Sequence, residues 1–127
     1  MIRGKNIDKQ VLTAYNRTLF DLSGSAAGEM VLINPTRSIT INNIYIVWVE
    51  GSSADTGVHI HIGATDGGAD YAEITSSVSK TAGDIEAYAQ GDMTLNLVPA
   101  GTPIWINNAG SKVGAGTCWV AIAYTVN

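Results

Sequence analysis

The stretch ITINNIYIVWVE, residues 39–50, indicates a β-strand whose buried face changes partway along its length. Isoleucines alternate with other residues from Ile39, and after Asn42 and Asn43 the alternation resumes at Ile44 on the opposite parity. Successive side chains of a strand point to opposite faces, so a slip of one residue moves the apolar set to the other face. The asparagine pair is therefore predicted to form a β-bulge or a strand break.

Segments with a period of two flank this strand on both sides, and no sustained helical period occurs. Residues 29–33 end at an Asn-Pro turn signal, and residues 118–126 place large apolar side chains at every even position. Residues 10–20 fit either a strand or a short helix. Other strands are expected at residues 58–62, 71–79, 85–90, 93–97 and 104–106. The pattern predicts an all-β, single-domain β-sandwich, jelly-roll-like, with about eight antiparallel strands.

The composition fits one domain whose surface is partly covered. The chain has 127 residues, of which 46% are hydrophobic and only 14% are charged, against about 25% charged residues in an ordinary globular domain. A surface with so few charged residues interacts weakly with water. We therefore expect part of the exterior to be covered by copies of the chain or by a partner.

Charge is distributed unevenly along the sequence. Residues 1–20 contain four basic residues against one acidic residue, whereas residues 50–92 contain eight acidic residues against one lysine. Such a distribution indicates either electrostatic polarity across the domain or simply a solvated tail and solvated loops. We predict a basic N-terminal arm, residues 1–20, ahead of a β-sandwich domain, residues 21–127. The arm would contact a partner through its cations Arg3, Lys5 and Lys9.

Several classes of protein are disfavoured by the sequence. The net charge of −4 and the lack of a basic face argue against nucleic-acid binding. The longest apolar run, residues 44–49, is far shorter than the roughly 20 residues of a membrane helix. Cys118 stands alone, which excludes an intramolecular disulfide or a cysteine-based zinc site. The first residues lack the apolar stretch of a signal peptide, so we expect a protein that stays or assembles in the cytoplasm.

The strongest metal-site candidates are His59, His61 and Asp66. The two histidines lie two residues apart on a predicted strand, so both leave the same face, and Asp66 follows at a spacing similar to that of cupins. A cupin would place a third histidine where this chain has Ile104, and two histidines alone under-coordinate a first-row metal. Because Val58, Ile60 and Ile62 occupy the buried parity, we predict histidines on the outer face and no metal.

Other candidate sites are also weak. Carboxylates in the acidic 64–73 loop, Asp66, Asp70 and Glu73, match no EF-hand spacing, and whether this loop binds calcium stays open. No serine lies in a Gly-x-Ser-x-Gly elbow, and Cys118 lies in an apolar run that indicates core packing. Strand and subunit packing explain the aromatic residues better than a sugar-stacking platform does. We therefore expect neither an enzyme nor a cofactor.

Five segments carry a resemblance to a known family. They are NIYIVWVEGSSADTG at 43–57, VSKTAGD at 78–84, VPAGTP at 98–103, GSKVGAG at 110–116 and AYT at 123–125. Together they resemble head decoration proteins of tailed bacteriophages over about residues 40–126. These segments are turn and strand signatures, and none is catalytic.

The resemblance implies a compact β-sandwich that binds the major capsid protein lattice from outside, often as a homotrimer, and reinforces it against internal DNA pressure. The protein would then belong to the virion and assemble in the host cytoplasm. Two alternatives remain: a carbohydrate- or receptor-binding module of a phage tail or fibre, and a cupin-like metal-binding protein. An exposed planar strip of Trp and Tyr rings would favour the first alternative. Convergence of His59, His61 and Asp66 inside the barrel would favour the second.

Overall fold

The computed structural model describes residues 10–21, 28–51, 58–76, 80–108 and 116–127, and within them the chain forms ten strands. One 3₁₀ turn, Gln90–Asp92, follows the seventh strand, and no helix in the described ranges could cross a membrane. The strands are β1 (Leu12–Tyr15), β2 (Phe20–Asp21), β3 (Glu29–Ile33), β4 (Ile39–Glu50), β5 (Val58–Gly63), β6 (Ala72–Ser76), β7 (Ile85–Ala89), β8 (Leu97–Val98), β9 (Pro103–Asn108) and β10 (Thr117–Val126).

The strands form two antiparallel sheets with the core between them. Sheet A has the order β1-β10-β4-β7, with β2 also paired to β10 and β8 to β4, and sheet B has the order β3-β9-β5-β6. Strands early in the sequence pair with strands late in the sequence: β1 pairs with β10, and β3 pairs with β9. The predicted all-β antiparallel sandwich is confirmed, with ten strands in the described ranges where about eight were expected.

The predicted bulge is present in β4. Asn43 pairs with Ala123 and Ile41 pairs with Tyr124, so Asn42 is an extra residue on β4 between two consecutive partners on β10. The bulge switches the parity of the buried positions, as the sequence indicated. Isoleucines on both sides of it are fully buried: Ile39, Ile41, Ile44 and Ile46.

Isoleucine dominates the core. Its branched side chains suit the pleated surface of a strand, and burying each one contributes about 1.5–3 kcal/mol. Trp48 and Tyr71 are the largest fully buried side chains. The core isoleucines of sheet B and of β10 are Ile60, Ile62, Ile74, Ile104, Ile106 and Ile122.

Strand β10 is central in sheet A, and Asn16 completes its hydrogen bonding. β1 and β2 both pair with β10 but are interrupted between Tyr15 and Phe20. In this gap the fully buried Asn16 amide accepts a hydrogen bond from Val120 N at 2.8 Å. It also donates to the carbonyl oxygen of Cys118 at 3.3 Å. The Asn16 side chain thus makes the hydrogen bonds to β10 that the backbone of a neighbouring strand would otherwise make.

One predicted strand is much shorter than expected. The alternation of Met93, Leu95 and Leu97 indicated a strand over residues 93–97, but only Leu97–Val98 pairs with β4. The amides of Thr94 and Leu95 both donate to the carbonyl oxygen of Tyr71, at 2.8 and 3.2 Å. These bonds hold the backbone away from the sheet ladder, and Leu95 is left 46% exposed.

The described part of the predicted arm is sheet structure. Residues 10–20 include β1, which pairs with β10 from Leu12 opposite Tyr124 to Tyr15 opposite Ala121. Phe20 is buried in the core. Of the two structures considered for this segment, the chain therefore adopts the strand. Residues 1–9, which contain the predicted partner-binding cations Arg3, Lys5 and Lys9, lie outside the described residues.

Candidate functional site

The two histidines lie on the outer face of sheet B, as predicted. They alternate along β5 with the fully buried Ile60 and Ile62. Each faces its partner on β6 across the ladder: His59 Nδ1 is 3.3 Å from Thr75 Oγ1. His61 Nε2 is 3.4 Å from Glu73 Oε1, and this glutamate is largely exposed. The arrangement is a pair of weak surface contacts across two strands.

His59, His61 and Asp66 do not come together as the ligands of a cupin-like metal centre would. His59 and His61 point away from the space between the sheets. Asp66 lies in the loop after β5, where its Oδ1 accepts a hydrogen bond from Gly28 N at 3.1 Å. Across the described ranges, no three His, Cys, Asp or Glu side chains come together in a way that could hold a metal.

The carboxylates of the acidic 64–73 loop are also kept apart. Asp70 Oδ2 accepts a hydrogen bond from Ala64 N at 2.8 Å, which closes the loop on itself. Asp66 contacts the chain at Gly28, and Glu73 lies on β6 beside His61. Two of the three carboxylates thus bind backbone amides that shape the loop.

A buried amide on β9 clamps the same loop. Asn107 is 2% exposed, and its Oδ1 accepts a hydrogen bond from Gly67 N at 2.9 Å. Its Nδ2 donates to the carbonyl oxygens of Gly68 at 2.8 Å and Thr65 at 3.2 Å. Gly67 has φ +84, the left-handed region that glycine tolerates best. Sequence reasoning missed this clamp, because Asn107 precedes a loop and nothing marks its side chain as buried.

Cys118 is fully buried on the inner side of β10. Burial, and to a smaller extent the charge of Glu86, raises the pKa of its thiol to about 12. The group is therefore a protonated, inaccessible thiol at neutral pH, which is the opposite of what a nucleophilic cysteine requires. The interpretation of Cys118 as a core residue agrees with this position.

A polar network spans the inner side of β7, and sequence reasoning missed it. Glu86 lies opposite Ile46 in the ladder, and its carboxylate accepts hydrogen bonds from Trp48 Nε1 at 2.9 Å and Tyr88 Oη at 3.0 Å. Lys80 Nζ is 3.4 Å from the same carboxylate. Burial, together with the nearby Glu86 charge, raises the pKa of Tyr88. The network satisfies the Trp48 indole and closes one edge of the sandwich.

The outer face of sheet A is largely uncharged. Four rows of uncharged side chains run across its strands, and a fifth row at one end carries Asp21 and Glu50 beside Thr117. The alternate positions Cys118, Val120 and Ile122 of β10 are fully buried, so the residues of these rows point away from the core. The uncharged rows are Trp119, Val47 and Ile85; Tyr15, Ala121, Tyr45 and Ala87; Thr13, Ala123, Asn43 and Ala89; and Thr125, Thr40 and Leu97. We call these residues the A face.

The A face is exposed mainly along its edges, and Ala123 at its centre is 7% exposed. Ile85 is 66% exposed and Tyr15 is 58% exposed. None of the side chains in its four rows is charged. The outer face of sheet B carries His59, His61 and Glu73. The odd positions of β10 lie on this face, and the rows extend it over three neighbouring strands.

Two aromatic rings of the A face, those of Tyr15 and Trp119, are not coplanar. The rings of Tyr15 and Trp119 have their centroids 6.0 Å apart and meet edge to face, with an angle of 84° between their planes. Stacking on a sugar needs an open ring face, whereas this geometry is that of packed aromatic neighbours. Of the other aromatic candidates, Trp48, Tyr71 and Tyr124 are buried.

Comparison with known proteins identifies similar folds. No family model matches the chain, and no curated protein sequence is significantly similar to it. Among solved structures, a chain of the cyanophage Pam1 capsid asymmetric unit is similar with a TM-score of 0.54 and 16% identity. The match covers 100% of this chain and 92% of that one. A chain from the capsid of Ralstonia phage GP4 gives a TM-score of 0.48 and 14% identity, covering 100% and 91%. The chain shares the β-sandwich fold of the Pam1 capsid structure over its whole length.

Proposed function

We propose that this chain is a structural protein of a phage virion, which binds the outside of the capsid lattice and reinforces it. The observation that carries the proposal is the A face, whose rows contain no charged side chain across four strands and whose edge residues Ile85 and Tyr15 are exposed. Surfaces of this kind mark sites of protein association. The shared fold with a chain of the Pam1 capsid structure and the resemblance to head decoration proteins support the same role.

The proposed role is binding without catalysis. A protein on a capsid meets a repetitive, immobile lattice with many equivalent sites. Weak contacts suffice there, because linked copies raise the effective concentration of each remaining contact. We therefore include self-association in the proposal, with the homotrimer that the resemblance implies as the expected state. Assembly would take place in the host cytoplasm, and the mature location would be the capsid surface.

The basic arm is the proposed capsid contact. Arg3, Lys5 and Lys9 would pair with acidic groups of the capsid, while Ile2 and Ile7 would enter apolar grooves. Exposed ion pairs are screened over about 8–10 Å at physiological ionic strength, so salt should weaken the attachment. Residues 1–9 of the arm precede the first strand of the sandwich, which begins at Leu12, so we expect the sandwich to fold without them.

The test measures binding to purified capsids that lack this protein. The intact chain, a variant without residues 1–9, and the triple variant Arg3→Gln, Lys5→Gln, Lys9→Gln are compared at low and high salt. We expect the intact chain to bind more weakly at high salt, and both variants to bind weakly at either concentration. The triple variant separates the charges from the apolar anchors. Equal binding under all conditions would remove the arm from the mechanism, and no binding of any form would refute capsid attachment.

A further inference from the structure

We propose that the Asp66–Gly67 pair is a latent site of isoaspartate formation, and that the buried Asn107 amide holds this site closed in the folded chain. The modification is spontaneous: an aspartate side chain cyclises onto the backbone nitrogen of the next residue. Asp66–Gly67 is the one Asp-Gly pair in the sequence, which has no Asn-Gly pair. The inference concerns the chemical lifetime of one loop and stands apart from the proposed capsid binding.

Glycine after aspartate favours this reaction, because no side chain shields the backbone nitrogen and the backbone turns freely there. The nitrogen of Gly67 attacks Cγ of Asp66, and the carboxyl OH and the amide proton leave together as water. The product is a five-membered succinimide ring, which a water molecule then opens. Cleavage of the new C–N bond restores aspartate, whereas cleavage of the original peptide bond leaves a backbone that runs through Cγ and contains one extra methylene group.

The structure holds both reacting groups on other partners. The Gly67 N–H donates to Asn107 Oδ1 at 2.9 Å, which directs the attacking nitrogen toward β9. Asp66 Oδ1 accepts a hydrogen bond from Gly28 N at 3.1 Å, which directs the carboxylate toward the start of β3. Ring closure requires the nitrogen to give up the first bond and Cγ to turn away from the second.

The clamp also restrains the loop on either side of the pair. Asn107 is 2% exposed, and its Nδ2 donates to the carbonyl oxygens of Gly68 at 2.8 Å and Thr65 at 3.2 Å. A hydrogen bond of average strength shifts an equilibrium about fivefold, so three such bonds lower the open population of the loop by up to about a hundredfold. The reaction should slow in proportion, because only the open loop reaches the geometry of the ring.

Isoaspartate at residue 66 would change the contact between this loop and the start of β3. The extra methylene group lengthens the loop backbone and shifts the carboxyl group relative to Gly28. There is no spare room at this contact, since a Cβ on Gly28 would overlap the side chains of Asp66 and Asn107. We therefore expect the modified chain to lose the hydrogen bond between residue 66 and Gly28.

The experiment follows isoaspartate at residue 66 during incubation at neutral pH, by chromatographic separation of the aspartyl and isoaspartyl peptides. The unaltered chain is compared in buffer and in urea that unfolds it. Asn107→Ala removes the clamp, and Asn16→Ala is the matched control, because it removes another buried amide that lies in sheet A, outside the loop. Asp66→Asn undergoes the same ring closure with loss of ammonia, which mass spectrometry detects. Circular dichroism establishes that each variant is folded.

We expect isoaspartate to form about tenfold to a hundredfold more slowly in the folded chain than in urea. Folded Asn107→Ala should approach the rate in urea, whereas Asn16→Ala should match the unaltered chain. Asp66→Asn should lose ammonia more slowly in buffer than in urea, and the Gly67 amide of the unaltered chain should exchange slowly with solvent.

Equal rates of isoaspartate formation in the folded and the unfolded unaltered chain would overturn the inference. So would a folded Asn107→Ala variant that reacts as slowly as the unaltered chain, or an equal acceleration in Asn16→Ala. Rapid exchange of the Gly67 amide in the unaltered chain would also overturn it, whether or not Asn107→Ala folds.

Discussion

Replacing Asn16 with alanine tests how sheet A is completed between β1 and β2. In the native chain this amide accepts a hydrogen bond from Val120 N and donates to the carbonyl oxygens of Cys118 and Thr18. The Asn16 side chain is fully buried. Alanine would leave a donor and an acceptor of the central strand β10 without partners in a site that excludes water.

The expected loss of stability follows from these two groups. A buried polar group left without a partner costs about 1–3 kcal/mol, so the free energy of unfolding should fall by about 2–4 kcal/mol. Domains of this kind are stable by about 5–15 kcal/mol in total. With a urea slope of about 2 kcal/mol per molar, the unfolding midpoint should fall by about 1–2 M.

Urea unfolding followed by tryptophan fluorescence measures this change, and Thr13→Ala on the exposed side of β1 is the control. Thr13→Ala should change the free energy of unfolding by less than about 0.5 kcal/mol. Amide exchange at Val120 should also become faster in Asn16→Ala than in the control. A loss below about 0.5 kcal/mol in Asn16→Ala would refute the reasoning, because water or a backbone shift would then have replaced the amide.

Two further predictions concern alkaline pH and a close backbone contact. The pKa of Cys118 is raised from about 9 to about 12, so the unfolded thiol ionises first and stability should fall as pH rises from about 9 to 12. Cys118→Ala should flatten this slope in unfolding experiments at several pH values, and an unchanged slope would contradict the assignment. Gly63→Ala should lower the melting temperature sharply, because a Cβ there overlaps the Gly68 backbone. Gly91→Ala meets open space and should melt like the unaltered chain, so equal melting of both variants would count against the contact.

Much of the fold follows from alternation alone. In β4 the parity change at Asn42 and Asn43 predicted a bulge that the structure contains. In β5 the alternation placed the histidines outside the core, which is where they lie. Both predictions succeeded because burial on one face of a strand constrains every second residue.

The remainder depends on contacts between distant segments. Nothing near Asn16 or Asn107 in the sequence marks these amides as buried, because their partners belong to other strands or loops. The strand predicted over residues 93–97 is mostly absent, because the carbonyl oxygen of Tyr71 accepts hydrogen bonds from two backbone amides of this segment. The A face could not be predicted from one strand, because the odd positions of β10 form only one part of it. Its full width depends on the register that brings Tyr45 and Ala87 alongside.

The position of β10 in sheet A has a consequence for how the chain is made. Asn16 and Val120 are 104 residues apart in sequence, yet they meet across adjacent strands. Translation at about 5–20 residues per second leaves several seconds between the synthesis of β4 and that of β10. Throughout that interval the apolar β4 has no neighbour on the side that β10 will occupy, and an unpaired edge of this kind invites aggregation. Sheet A therefore forms late, and a nascent chain stalled before Thr117 should depend on chaperones to stay soluble.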